Sequence, residues 1–203
     1  MARYTGPTDK ISRRFGVALF GASKTLERKP FPPGQHGAKN TRKKKSDYAL
    51  MLEEKQKLRM QYGMLEKPFR KLFAEAVRRR GVTGEILLQL LELRLDNVVY
   101  RMGLANTRRG ARQFVGHGHV LVNGVRTNIA SYSCKPGDKI SVRDAAGSKQ
   151  LALRNIEKTQ YATAPDWVSF DQETLAGSVN RVPERSEIDP QVNEQLVVEL
   201  YSR

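Results

Sequence analysis

Cysteine is almost absent from this 203-residue chain, and the lone Cys134 excludes an internal disulfide framework and a cysteine-rich zinc site. Acidic residues are scarce too: 21 Asp and Glu stand against 36 Lys and Arg, a net charge of +15. Apolar residues make up 39% of the chain, below the roughly 45–50% of an average globular protein. No apolar run approaches the ~18 residues that a membrane span needs. Residues 15–22 have the apolar character of a signal-peptide centre. That stretch is short, contains Gly16 and Gly21, and runs into Lys24, Glu27, Arg28 and Lys29, which argues against export.

Catalytic signatures are also missing. Gly16 and Gly21 have the spacing of a phosphate loop, but Ala22 stands where lysine is required. Asp166 with Asp171, and Glu184 with Glu187, read as scattered surface acids. No Ser/His/Asp or Cys/His arrangement has support. A chain this basic repels itself unless a polyanion neutralises it. The expectation is therefore a soluble, intracellular, polyanion-binding protein, not an enzyme, with no cofactor and no metal.

The charge is polarised along the chain. Residues 1–45 carry net +10, 46–90 net +3, 91–150 net +6 and 151–203 net −4. The first 45 residues read as a basic extended N-terminal arm, punctuated by Gly6-Pro7, Pro32-Pro33-Gly34 and Gly37, with too little apolar area to repay ordering. Its candidate contacts mix cations with stacking and hydrogen-bonding side chains: Arg3, Tyr4, Lys10, Arg13, Arg14, Gln35, His36 and the run Lys39, Arg42, Lys43, Lys44, Lys45.

From Ser46, a good N-cap, the pattern turns helical and defines a small helical domain over 46–90. One helix runs to about Tyr62 with Gly63 as its stop, and a second starts near Leu65 with Pro68 in its first turn. The apolar run over 83–102 predicts two helices, or one bent near Arg94. Beyond Val120 the period falls to two, and Asn123-Gly124 between valines predicts a hairpin with a type I′ turn. Lys139–Arg143 predicts another strand, residues 151–161 a helix, and 167–170 and 177–182 two more strands. Leu196–Tyr201 reads as a short buried extended piece. The fold class is thus α+β: an arm, a helical domain, a helix-helix-hairpin module over 91–156 with paired helices on a small antiparallel sheet, and a helix, further strands and an acidic tail over 157–203 packing back on the body.

The sharpest signal lies in residues 94–124. Arg94, Asn97 and Arg101, spaced 3 and 4, fall together on a face other than the apolar stripe. Thr107 is a plausible N-cap for the next helix, whose polar face holds Arg108, Arg109, Arg112 and Gln113. Arginines in a first turn are badly placed for the helix dipole, and a phosphate there would relieve the repulsion. His117 and His119 then lead into the hairpin at Asn123. With no acidic residue or third histidine nearby, the pair favours RNA stacking or hydrogen bonding over a metal.

The stretch Arg94-Leu95-Asp96-Asn97-Val98-Val99-Tyr100-Arg101-Met102-Gly103, then Thr107-Arg108-x-x-Ala111-Arg112-Gln113, then His117 to Gly124, resembles the RNA-binding module of the bacterial small-subunit ribosomal protein four family. The resemblance extends over essentially the whole chain, from Met1-Ala2-Arg3-Tyr4-x-Gly6-Pro7 and Pro33-Gly34-Gln35-His36-Gly37 to Val182-Pro183-Glu184-Arg185 and the Val198-Glu199-Leu200-Tyr201-Ser202 ending. Some relatives carry cysteine zinc ligands in the arm; this chain has none there. The resemblance implies a cytoplasmic protein of the small ribosomal subunit that binds ribosomal RNA early and nucleates assembly of the subunit body. It implies contact with small-subunit protein five that affects accuracy. It also implies that Lys39, Arg42, Lys43, Lys44 and Lys45 line the channel through which messenger RNA enters, with protein three nearby.

Two other classes compete. An RNA-modifying enzyme would need ~150 further residues and a recognisable site. An architectural DNA-binding protein fits the charge, but basic corners without a dedicated recognition helix favour folded RNA. Reversing charge at Arg108 or Arg112 is expected to weaken RNA binding and leave the fold intact.

Overall fold

A computed structural model describes residues 4–40, 44–159, 164–188 and 192–202. The chain divides into two compact units: Met1–Gly84 with Pro190–Arg203, and Glu85–Asp189.

In the first unit, the segment expected to be an extended arm contains short helices: α1 (Thr8–Phe15), α2 (Lys24–Arg28) and α3 (Gly37–Asn40). Their stops and starts are local. Gly16 closes α1 in the left-handed conformation at φ 68°, and Ser23 Oγ caps α2 by accepting from Leu26 N at 3.3 Å. Ile11 and Leu19 are buried, so the segment has a small apolar anchor of its own. Helices this brief leave no periodicity to read, which is why punctuation alone suggested extension.

Helix α4 (Asp47–Gln61) begins where expected, with Ser46 Oγ accepting from Ala49 N at 3.3 Å. Helix α5 (Glu66–Arg78) buries Phe69 and Phe73. The C-terminal segment expected to be extended is instead a helix, numbered α10 below (Glu194–Ser202), and it packs along α4. The β-branched pair Val197-Val198 favours a strand locally, but there is no strand partner among the described residues of this unit. The helical spacing places Val197 and Tyr201 on one side. Val197 is buried, and the Tyr201 ring stacks on Phe73 at 4.4 Å. Tyr201 Oη donates to Glu66 Oε1 at 2.8 Å, the oxygen that also accepts from Lys55 Nζ.

The second unit opens on the apolar run, which is two helices: α6 (Thr83–Glu92) and α7 (Leu95–Arg101). The break falls at Leu93–Arg94, and the exposed amides of α7 are met by a later loop: Leu95 N donates to Tyr132 O at 2.8 Å and Asp96 N to Ala130 O at 3.1 Å. Helix α8 (Arg108–Gly116) is capped by Thr107, whose Oγ1 accepts from Gly110 N at 3.0 Å. Strands β1 (Val120–Val122), β2 (Val125–Arg126) and β3 (Lys139–Val142) follow. Then come α9 (Ala146–Thr159), β4 (Val168–Asp171), β5 (Ala176–Val179) and α10. Helix α9 starts earlier than its apolar pattern suggests, supported by the Asp144–Lys149 ion pair at 2.7 Å.

The five strands form one antiparallel sheet in the order β2-β1-β3-β5-β4. Asn123 at φ 50° and Gly124 at φ 81° build the type I′ turn between β1 and β2. Val120, Val122, Ile140, Val142, Val168 and Val179 alternate inward onto Leu95, Val98, Val99, Met102, Phe114, Val115 and Trp167. Gly177 is required by closeness: a Cβ there would lie 2.2 Å from Ser169 O on the neighbouring strand. Cys134 is a free, buried member of this core. Burial first, then the charges of Asp138 and Asp96, push its thiol up to about 12, so it behaves as a small apolar side chain.

Candidate nucleic-acid interface

The polar residues of α7 and α8 meet one another. Glu92, at the end of α6, is fully buried. Its carboxylate accepts from Asn97 Nδ2 at 2.6 Å and from Arg101 through Nε at 2.9 Å and Nη2 at 2.7 Å. Arg108 Nη2 lies 3.9 Å from the same carboxylate, while Arg108 Nε donates to Asn97 Oδ1 at 2.8 Å. The Arg108 guanidinium also sits 4.8 Å from the centre of the Tyr100 ring. Asp96 forms the second centre, accepting from Arg94 at 3.1 and 2.8 Å and from Arg112 Nη1 at 3.0 Å.

This arrangement corrects two expectations. Arg94 and Asn97, expected among the RNA-contacting side chains, are interior at 5% and 2% exposure. The first five residues of α7 are all buried, so its polar stripe points at α8 rather than at water. Two arginines of α8 also have a counter-charge inside the protein, Arg108 in the first turn from Glu92 and Arg112 one turn on from Asp96. The fold is therefore not indifferent to Arg108→Glu or Arg112→Glu. Either substitution would set a new carboxylate against one already buried, and unfolding would confound a binding measurement.

The guanidinium groups of Arg94, Arg101, Arg108 and Arg112 gather around Glu92 and Asp96, and those of Arg101, Arg108 and Arg112 keep side-chain exposures of 21%, 17% and 16%. Beside them on α8, Arg109 is half-buried and Gln113 is exposed. His117 is exposed, and its ring lies 6.0 Å from that of His119. His119 is tied down by an Nδ1–Ser148 Oγ hydrogen bond of 2.8 Å and by Phe114 at 5.0 Å. Burial, then His117, Arg126 and Arg143, hold the His119 pKa below the ordinary imidazole value.

Arg126 and Arg143 are exposed cations that the sequence reading passed over. Arg126 on β2 donates to Gly118 O at 3.2 Å, and Arg143, just past β3, donates its backbone N–H to His119 O at 2.8 Å. Their signal was the hairpin itself, since antiparallel pairing returns both to the His117–His119 end of β1. Asn123, by contrast, spends its amide on the turn: Nδ2 donates to Asp138 at 2.9 Å and Oδ1 accepts from Lys139 N at 2.9 Å.

In the other unit, Lys10, Arg14, Gln35, His36, Lys39, Lys44 and Lys45 are exposed and Tyr4 is half-buried. Arg13 is drawn inward, donating through Nε to Lys29 O and Phe31 O, both at 3.2 Å, over the Phe31 ring. Lys45 pairs with Glu53 at 2.5 Å. Arg3, Arg42 and Lys43 lie outside the described residues. Among the described residues, no cluster of His, Cys, Asp and Glu could hold a metal ion, and no helix is long and apolar enough to cross a membrane.

Comparison with known proteins places this geometry in context. A family model described as the ribosomal protein S4/S9 N-terminal domain matches residues 3–92, and one described as the S4 domain matches residues 93–140. The small ribosomal subunit protein uS4 of Akkermansia muciniphila is 66% identical over 203 residues, covering both chains in full. Those of Opitutus terrae and Geobacillus thermodenitrificans are 55% and 54% identical over the same full length.

Proposed function

The chain belongs to the small ribosomal subunit protein uS4 family, and from that premise we propose how its two cationic regions are used. It is a structural component of the small subunit with an RNA-binding S4 domain. Its relatives are named as ribosomal proteins rather than enzymes, and the chain is read likewise.

The S4 domain grips small-subunit ribosomal RNA along the rim of Arg101, Arg108, Arg109, Arg112, Gln113, His117 and His119, extended by Arg126 and Arg143. Thr107 and Asn123 shape the helix start and the turn beneath that rim, and Arg94 and Asn97 hold it from inside. The observation that carries this reading is the gathering of four guanidinium groups at the α7–α8 corner, three of them partly exposed while held in place from inside. Cations held rigidly at a surface recognise phosphates by shape and backbone. Through this grip the protein nucleates assembly of the subunit body and, with protein five, contributes to accuracy. The arm residues Arg3, Tyr4, Lys10, Arg13, Arg14, Gln35 and His36 add contacts. Lys39, Arg42, Lys43, Lys44 and Lys45 line the messenger RNA channel near protein three.

The test is charge reversal away from the buried carboxylates. Arg109→Glu with Arg143→Glu is expected to weaken binding to a small-subunit ribosomal RNA fragment by about a hundredfold, two charge-assisted contacts being lost. The midpoint of thermal unfolding should stay unchanged. Affinity within twofold of the parent would sink the proposed rim, and equal affinity for duplex DNA of matched length would sink the preference for RNA.

Neutralising Lys44 and Lys45 tests the arm. A surface pair such as Lys45–Glu53 contributes little to stability, so the variant should fold normally. The log–log salt slope of RNA binding should fall by roughly 0.7–0.9 for each phosphate contact removed. An unchanged slope would mean that neither lysine touches phosphate.

A further inference from the structure

We infer that Glu92 is a positioning residue for RNA recognition: a carboxylate that cannot touch RNA, yet sets the planes of the guanidinium groups that do. The inference rests on the proposed rim and deepens it. Glu92 is completely enclosed, while Arg101 and Arg108, which converge on it, reach the surface at 21% and 17% side-chain exposure. Arg101 meets it side-on through both Nε and Nη2, a fork that fixes the plane as well as the position of the guanidinium. Asn97 relays the constraint: its amide nitrogen is held by Glu92 at 2.6 Å, and its oxygen accepts from Arg108 Nε at 2.8 Å. Arg108 is thus aligned from one side by Asn97 and from another by the Tyr100 ring.

Stability alone does not account for such a centre, because well-packed apolar side chains are commonly as stabilising as a buried ion pair. What the carboxylate provides is order. A long side chain fixed before binding loses less entropy when RNA arrives, and a fixed plane accepts only phosphates in matching positions.

Two roles for Glu92 predict opposite signs. If it were only a counter-charge, removing its charge would leave the surface more positive and strengthen binding to every RNA. If it positions, removing it weakens binding to the matching RNA and leaves unrelated RNA bound as well or better. Glu92→Gln keeps the size and one acceptor oxygen. We expect it to bind a small-subunit ribosomal RNA fragment about tenfold more weakly, two arginine side chains having lost their order, while affinity for an unrelated RNA of equal length is unchanged or higher.

Arg101→Lys provides a second variant that does not depend on Glu92→Gln folding. It keeps the charge, loses the fork, and should show the same selective loss. Parallel change on both RNAs, in either variant, overturns the inference. If Arg109→Glu with Arg143→Glu weakens binding while these variants do not lose selectivity, the rim stands and the role of Glu92 falls. If the rim variant has no effect, the rim itself falls.

Discussion

Glu92→Ala is expected to destabilise the Glu85–Asp189 unit by about 3–5 kcal/mol, the magnitude found when one partner of a buried ion pair is removed. The truncation leaves the Arg101 fork without an acceptor, strips Asn97 Nδ2 of its carboxylate and opens a void at the junction of α6, α7 and α8. For a unit of this size the unfolding midpoint should drop by about 15 °C. Trp167, the only tryptophan and buried in the same unit, provides the readout, since its emission shifts to the red when that core opens. A drop of less than about 1 kcal/mol would show that Arg101 and Arg108 swing into water without penalty, and that the network is looser than its distances imply. Glu92→Gln should be milder, because its amide oxygen can still accept from Arg101.

Trp167→Ala is expected to produce a loss of similar size for a different reason. Trp167 is 1% exposed and sits at the entrance to β4, where its carbonyl accepts from Asn180 N at 2.9 Å. Its ring fills the core shared by Met102, Ile140 and Val179. Deleting a buried aromatic ring removes transfer energy and leaves a cavity, together about 3–5 kcal/mol. Calorimetry should register the change, while RNA affinity measured well below the midpoint should stay within a few-fold of the parent. Full stability in the variant would mean that the neighbouring side chains collapse into the space. A selective loss of RNA affinity without destabilisation would move Trp167 to the interface.

The two losses differ in how visible their causes are along the chain. Trp167 stands next to an alternating strand, so a buried ring is the ordinary reading of its neighbours. The caps at Ser46 and Thr107 and the Asn123-Gly124 turn are likewise local chemistry, whereas the break near Arg94 is completed by the distant Tyr132 and Ala130 carbonyls. In the caps and the turn, a hydroxyl, an amide or a missing Cβ acts within a few bonds of itself. The helical C-terminus was not legible, because the valines of α10 are drawn into a helix by burial against α4. Nor were the short helices of the first forty residues, which are too brief to show a period.

The α7–α8 corner was half legible. Composition located the arginines, and spacing grouped Arg94, Asn97 and Arg101, but neither showed that Arg94 and Asn97 turn inward. Glu92 lies five residues before Asn97 and nine before Arg101. Neither separation matches a helical i, i+3 or i+4 neighbour, so periodicity passes over the pair. Only the chain break between α6 and α7 brings them together. Arg126 and Arg143 were missed for a similar reason, since strand register rather than order along the chain carries them to His119.

What the residues fix without any folding is charge and local stereochemistry: a basic front and middle, an acidic end, caps, turns and the change of period at Val120. These follow from side chains acting on their immediate backbone. What waits for the packed molecule is which cation meets which anion. An ion pair depends on distance and direction in three dimensions, and the angles between α6, α7 and α8 alone determine that two carboxylates lie inside a cluster of arginines.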